Sequence, residues 1–200
     1  MGGIIVDGSE NMLIVPFQGW YEEHPKFTVK FDRGLTTIIG KNGSGKTSMI
    51  NELNAYLRKA SIPVYHYDQL REGATIAERG IYSGNITTSA TYLQSSEGEK
   101  VIVSYGNTLT PIKLFLYEHR DKEQVFLLCD GLDSGVSINI IKELREIFQL
   151  LQNDFPNVVI VNTANNYEFA KECRCIVAAS GEEITFSTYE DYERFICNQE

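Results

Sequence analysis

The residue types and spacing best able to do chemistry in this chain lie in Gly40-Lys41-Asn42-Gly43-Ser44-Gly45-Lys46-Thr47. The pattern G-x-x-x-x-G-K-[ST] follows a strand-like run, Leu35–Ile39, and opens a helix-patterned run, Ser48–Ala60. That context is the one in which such a loop cradles a polyphosphate. Glycines allow torsions and close backbone approaches that a Cβ would forbid. The amides of Asn42, Gly43, Ser44 and Gly45, with those of the first helical turn to Ser48, are expected to face the anion, and the helix dipole adds to the attraction. Lys46 can reach the β- and γ-phosphates, and the Thr47 hydroxyl can take one site on Mg²⁺. The spacing implies a bound nucleoside triphosphate, ATP with Mg²⁺.

A second cluster must face this loop for the metal to be held. The continuously apolar run Val125–Cys129 reads as a central parallel strand covered on both faces, and it ends in Asp130. Carboxyl ends of parallel strands open onto the ligand crevice, so Asp130 can hold Mg²⁺ from the side opposite Thr47.

The elements that position these groups read as follows. Met12–Phe17 is a short apolar run with Pro16 near its end, a plausible edge strand, and Phe27–Phe31 alternates as a strand with one buried face. Met49, Ile50, Leu53, Leu57 and Ala60 make one stripe on the helix after the phosphate loop. Ile62–Tyr67 is another strand. From residue 68 to about 95 the pattern dissolves, and a small lobe or a loop fits. Residues Glu99–Tyr117 regain a helical period, with Pro111 expected to break or kink it. A helix over Ser137–Gln152 carries Ile140, Ile141, Leu144, Ile147, Phe148 and Leu151, and Val158–Val161 is a second buried strand. Ile176–Ala178 and Ile184–Phe186 flank Ser180-Gly181 as a hairpin. Ser187 with Glu190 resembles a capping box for a helix over Tyr189–Ile196. Residues 1–200 read as a single α/β domain with a reduced second lobe.

Composition narrows the partners. The net charge is −9, and phosphate-backbone affinity comes from Lys and Arg, so DNA as a partner has no support from charge. Met1–Val6 has no basic segment ahead of a long apolar core, no apolar stretch approaches a membrane span, and position 6 is Val where a myristoylation signal needs Ser or Thr. The expectation is a cytoplasmic protein with no membrane role. Among the four cysteines, Cys129 reads as core, and Cys173-Arg174-Cys175 has neither zinc-site nor redox spacing although the two thiols would share a face of a strand. His24, His66 and His119 fall near no pattern that would make a metal or triad site.

Asn42–Thr47 preceded by alternating strands resembles the ATPase head of the ABC class, most of all the soluble branch with the recombination-protein-F and chromosome-maintenance heads. Three further stretches fall in the right order. Ser96-Glu97-Gly98-Glu99 resembles the ABC signature, Leu132-Asp133-Ser134-Gly135 the D-loop, and Asn162-Thr163-Ala164-Asn165 the strand end that carries the switch residue. The resemblance runs from about Lys26 to Ala179. It implies a P-loop NTPase fold of the ABC type, with a mainly parallel sheet and an antiparallel β edge. It also implies an ATP-dependent, head-to-tail homodimer in which Ser96, Gly98 and Glu99 of one subunit meet the triphosphate of the other. Ser96 as a simple cap of the following helix is the competing reading.

The chain departs from that pattern at two places. The family's Walker B Asp is followed by Glu, and here by Gly131; the switch His is absent, with Asn165 the nearest polar candidate. A general base contributes roughly 10²–10⁴-fold, so slow hydrolysis or a substitute base is expected, with Asp133 and Glu99 nearest. Asn165 can orient a water but cannot take its proton. Gln69 is a candidate for Mg²⁺ or water beside the bland reading of an exposed loop residue. Trp20 or Tyr21 could stack on adenine, with packing as the alternative.

Two functions follow, a slow ATPase or ATP-dependent dimerisation switch acting on a partner protein or DNA end, and a catalytically inactive nucleotide-binding subunit of a larger genome-maintenance or defence complex. A small-molecule kinase shares the loop but predicts an Arg-rich lid, for which Arg71 and Arg79 are thin support.

Overall fold

The computed structural model describes residues 12–18, 26–68 and 109–198. The signature residues Ser96, Gly98 and Glu99, together with Gln69, Trp20, Tyr21, His24, Arg71, Arg79 and the expected lobe beyond Asp68, lie outside them.

Two strands, β1 (Leu13–Phe17) and β2 (Phe27–Phe31), pair antiparallel as a small sheet of their own. The larger sheet holds β3 (Gly34–Ile39), β4 (Val64–Asp68), β5 (Val125–Asp130), β6 (Val158–Ala164), β7 (Arg174–Val177) and β8 (Glu183–Ile184), in the order β4-β5-β6-β3-β7-β8. Its first five strands run parallel and β8 closes the edge antiparallel to β7. Helix α1 spans Lys46–Lys59, α2 residues 109–118, α3 Ile138–Asp154, α4 Tyr167–Ala170 and α5 Tyr189–Cys197.

Strands β5 and β6 are buried at every position, and their alternate residues divide between two cores. Phe126, Leu128, Val159 and Val161 pack with Met49, Ile50, Leu53 and Leu57 of α1 and with β1 and β2. Val125, Leu127, Cys129, Val158 and Ile160 pack with Ile112 and Leu116 of α2 and with the α3 stripe Ile141, Leu144, Phe148 and Leu151. Period 2 in the strands and period 3.6 in the helices thus build a layered α/β core, with the sheet covered on both faces. A third cluster, Ile39, Ala170, Cys175, Phe186 and Tyr192, ties α4 and α5 to the β3–β7 side.

Several local expectations shift. Helix α1 begins at Lys46, two residues before the expected start, because the loop turns directly into it through Gly45 at φ +91°. Pro111 does not break α2, which continues to residue 118. Proline lacks only its own N–H and clashes backward along the chain, so residues after it continue the helix freely. The cap of α5 is Thr188 rather than Ser187. Its Oγ1 accepts the Asp191 amide at 3.2 Å and donates to Asp191 Oδ2 at 2.8 Å, a reciprocal cap one residue later than the sequence pattern suggests. The expected hairpin forms as β7 and β8, with Gly181 at φ +72° in its turn. A Cβ on Gly181 would also meet the Phe27 ring at 2.2 Å, so this turn is packed onto β2.

Candidate functional site

The phosphate loop leaves β3 at Gly40 (φ +149°) and enters α1 after Gly43 (φ +82°) and Gly45 (φ +91°). The last two torsions lie where a side chain is strained, which is why the sequence spends glycines there. Ser44 N donates to Lys41 O at 3.1 Å and closes the turn. Lys46 folds back over its own loop, its Nζ donating to Gly40 O at 2.6 Å and Lys41 O at 3.0 Å. Burial lowers the Lys46 pKa, opposed by the nearby Asp133 and Asp130 carboxylates.

Across the loop, β4, β5 and β6 end side by side. A cavity of about 220 Å³ opens there, lined by Asn42, Lys46 and Thr47 from the loop and by Asp68, Asp130 and Asp133 from the facing ends. Gly131, Ser134, Thr163 and Asn165 complete its wall. Of the expected site residues, Asn42, Lys46, Thr47, Asp130, Asp133 and Asn165 come together at this one cavity. Ser48 is exposed in the first turn of α1.

The acidic side is held by an ordered set of bonds. Thr163 Oγ1 donates to Asp130 Oδ1 and accepts the Gly131 amide at 3.0 Å, so one β6 hydroxyl fixes both the carboxylate and the turn after it. Asp133 Oδ2 accepts the amides of Asn165 and, at 2.8 Å, Asn166. Burial raises the Asp133 pKa above its ordinary 3.8, partly offset by these amides and by Lys46. The Asn165 backbone is gripped from its other end as well, its carbonyl accepting the Tyr192 hydroxyl of α5 at 2.7 Å. Gly131 sits at φ +76°, a conformation that leaves the position after Asp130 shaped for glycine.

Sequence reading missed Asp68, Thr163 and Tyr192. Asp68 pairs in register with Asp130 across β4 and β5, which puts two carboxylates at adjacent strand ends. Its signal was present but weaker, since Asp68 ends a strand as Asp130 does, though that strand carries His66 and is only partly buried. Thr163 and Tyr192 act through contacts about thirty residues distant in sequence, which no local pattern displays.

The residues present fit a triphosphate with Mg²⁺. The Lys46 cation, the loop residues Asn42 and Thr47 and two strand-end carboxylates share the cavity. The buried Ser44 hydroxyl has no hydrogen-bond partner among the described residues, and a Cβ on Gly43 would meet nothing within 4 Å, so the loop is open on the side where an anion would approach. Mg²⁺ favours one or two carboxylates plus phosphate oxygens, and Thr47 with Asp130 offers that set.

A glycine loop between a parallel strand and a helix, facing an acidic strand end, defines a P-loop nucleoside-triphosphatase fold. A family model described as AAA domain matches residues 17–174, well over half of the chain. The chain belongs to the AAA-domain family, and with it to the nucleotide-binding, ATPase-type proteins. No curated protein matches the chain. Among the described residues, no helix is long and apolar enough to cross a membrane.

Proposed function

We propose that this chain is an ABC-class ATP-binding protein that hydrolyses ATP slowly and uses the bound nucleotide to close a homodimer acting on a protein effector or a DNA end. The observation that carries it is the meeting of Lys46 and Thr47 with Asp130, Asp133 and Asn165 at one cavity. The resemblance of residues 96–99 to the ABC signature supplies the dimer. That arrangement would place a second copy over the exposed end of the triphosphate.

Bound Mg²⁺ would supply charge neutralisation at the β- and γ-phosphates. Thr47 and Asp130 would hold it, Thr163 keeping the Asp130 carboxylate aimed. Lys46 exchanges its carbonyl partners, Gly40 and Lys41, for anion oxygens, which recovers part of what burial takes from its charge. Asn165, clamped at both ends of its backbone, presents an amide that can orient a water. Asp133 is the proton acceptor we assign. Burial raises its pKa and makes it a stronger base than an exposed carboxylate.

A second reading, a nucleotide-binding regulatory subunit without turnover, is favoured by Gly131. Its left-handed backbone supplies no carboxylate where the ABC pattern has its Glu. Phosphate release with ATP–Mg²⁺ separates the two readings. Turnover lost in Lys46→Ala supports the enzyme, and release no faster than the buffer blank in the unmodified protein supports the regulatory subunit. Light scattering on a sizing column tests the switch, with a dimer expected with ATP–Mg²⁺ and a monomer without. A monomer under both conditions removes the switch.

A further inference from the structure

Behind the phosphate-loop strand lies a cluster of groups that the nucleotide site does not use. Cys173, in the bend after α4, and Cys175, in β7, place their sulfurs 3.9 Å apart. All four cysteines of the chain are free, and Cys173 is partly exposed while Cys175 is buried. The Cys173 thiol donates to Phe169 O at 3.0 Å and sits 3.4 Å from Thr37 Oγ1. Thr37 stands on β3 directly opposite Cys175 in the β3–β7 register and lies 2.8 Å from the Asn162 amide of β6 and 2.9 Å from Phe169 O. The single Thr37 proton is shared between two acceptors, Asn162 Oδ1 and Phe169 O. Two thiols therefore share one polar knot that joins β3, β6 and α4.

We propose that Cys173 and Cys175 are a peroxide-sensitive dithiol site, closing to an intramolecular disulfide that loosens the nucleotide pocket. A disulfide needs its sulfurs about 2.05 Å apart, so the pair must close by about half of its 3.9 Å separation, a movement that side-chain rotation in a bend can supply. The Cys175 thiol beside it, with Thr37 and Arg145, holds the Cys173 pKa at about 7 against the effect of burial, so Cys173 is the attacking sulfur. Its thiolate attacks one oxygen of the peroxide, the O–O bond breaks, and water leaves after protonation, giving the sulfenic acid. Cys175 then attacks the Cys173 sulfur and expels the second water, the Cys175 proton leaving with it. Two thiols lose two hydrogens, and one hydrogen peroxide becomes two waters. The chief cause that raises the Cys175 pKa is its hydrogen bond to Cys173. Oxidation of Cys173 removes that bond, which frees Cys175 for the second step.

Closure would cost the cluster its Cys173 S–H, and with it the bond to Phe169 O. Phe169 lies in α4, three residues after Asn166, which with Asn165 holds Asp133 through backbone amides. Thr37 lies three residues before Gly40, where the phosphate loop begins. The disulfide thus acts on both sides of the cavity without entering it. Formation of the bond stands independently of the nucleotide reading, whereas its effect on affinity rests on that reading.

The experiment uses the full chain with Cys197→Ser, which removes the exposed thiol at the end of α5. Treatment with hydrogen peroxide should give the loss of two hydrogens by intact mass and a cross-linked 173–175 peptide on mapping. Dithiothreitol should reverse both. Cys173→Ser keeps a donor for Phe169 O and should abolish the mass change, as should Cys175→Ala. Affinity for a fluorescent ATP analogue should fall about 2–30-fold on oxidation, the range of coupling through a connected network, and recover on reduction. No 173–175 link after peroxide treatment overturns the site. A link that leaves affinity unchanged overturns the coupling. A link formed in a protein that binds no ATP when reduced overturns the nucleotide reading and leaves the dithiol site standing.

Discussion

Two glycine turns face each other across the cavity, and they use the same backbone freedom for opposite ends. At the phosphate loop, Gly43 and Gly45 adopt positive φ so that amides and the Lys46 charge can gather around an anion. In the turn after β5, Gly131 and Gly135 adopt positive φ, and the chain curls away from the strand end carrying only the Asp133 carboxylate back into the site. The first turn gathers binding groups. The second omits a side chain where the ABC pattern places its water-polarising carboxylate. On the function proposed above, affinity and turnover would rest on separate turns, so each could be changed alone.

The largest expected effect tests the acidic turn. Asp133→Asn keeps an oxygen to accept the Asn165 and Asn166 amides but loses the proton acceptor, so kcat should fall by roughly 10²-fold or more. The Kd for ATP–Mg²⁺ should stay within about twofold, because binding rests on the other turn. Unchanged kcat would remove Asp133 from the role assigned to it. The same substitution has a stability signature. The folded pKa of Asp133 lies above its ordinary 3.8, so the folded state holds the proton longer and the contribution of this group declines as pH rises through the window just above that value. A urea titration series across that window should show a shallower decline in Asp133→Asn.

Lys46→Ala tests the binding turn. Loss of a charge-assisted contact should raise the Kd for ATP–Mg²⁺ roughly 10–100-fold, read by calorimetry, with folding intact by circular dichroism. If affinity holds, the loop is not the phosphate site. Gly131→Glu sharpens the contrast between the turns. A left-handed non-glycine residue costs of order 1–3 kcal/mol, so thermal unfolding should move to lower temperature, with no gain in phosphate release. A gain in turnover would mean that the turn can be rebuilt around a carboxylate. The smallest expected effect is Thr188→Ala, which removes the cap of α5 and should cost about 1 kcal/mol in denaturant unfolding.

The binding turn was legible in the sequence because its chemistry is local. Eight consecutive residues carry the glycines, the lysine and the threonine, and the flanking periodicities give the strand and the helix. The same holds for the buried strands, where Val125–Cys129 and Val158–Val161 run apolar without interruption. The acidic turn was half legible. Asp130 ends its strand visibly, yet its anchor is Thr163 from the neighbouring strand, and Asp133 is oriented by amides of residues 165 and 166. Such partners are set by sheet order, β5 beside β6, which no local period encodes. Asp68 also ends a strand, but β4 carries His66 and is only partly buried, so its end stands out less than that of β5 at Asp130. The displaced cap at Thr188 shows the limit of spacing alone, since Ser187 and Thr188 both offer a hydroxyl and only the backbone path decides between them.

The Tyr192 phenol on α5 grips the carbonyl of Asn165, so a surface helix outside the strand-and-loop frame holds one wall of the pocket in place. Any molecule that tilted α5 by as much as a hydrogen-bond length would pull on the Asn165 backbone, and so on one wall of the cavity, from outside it. That side of the molecule is a lever, and its fulcrum is a single oxygen.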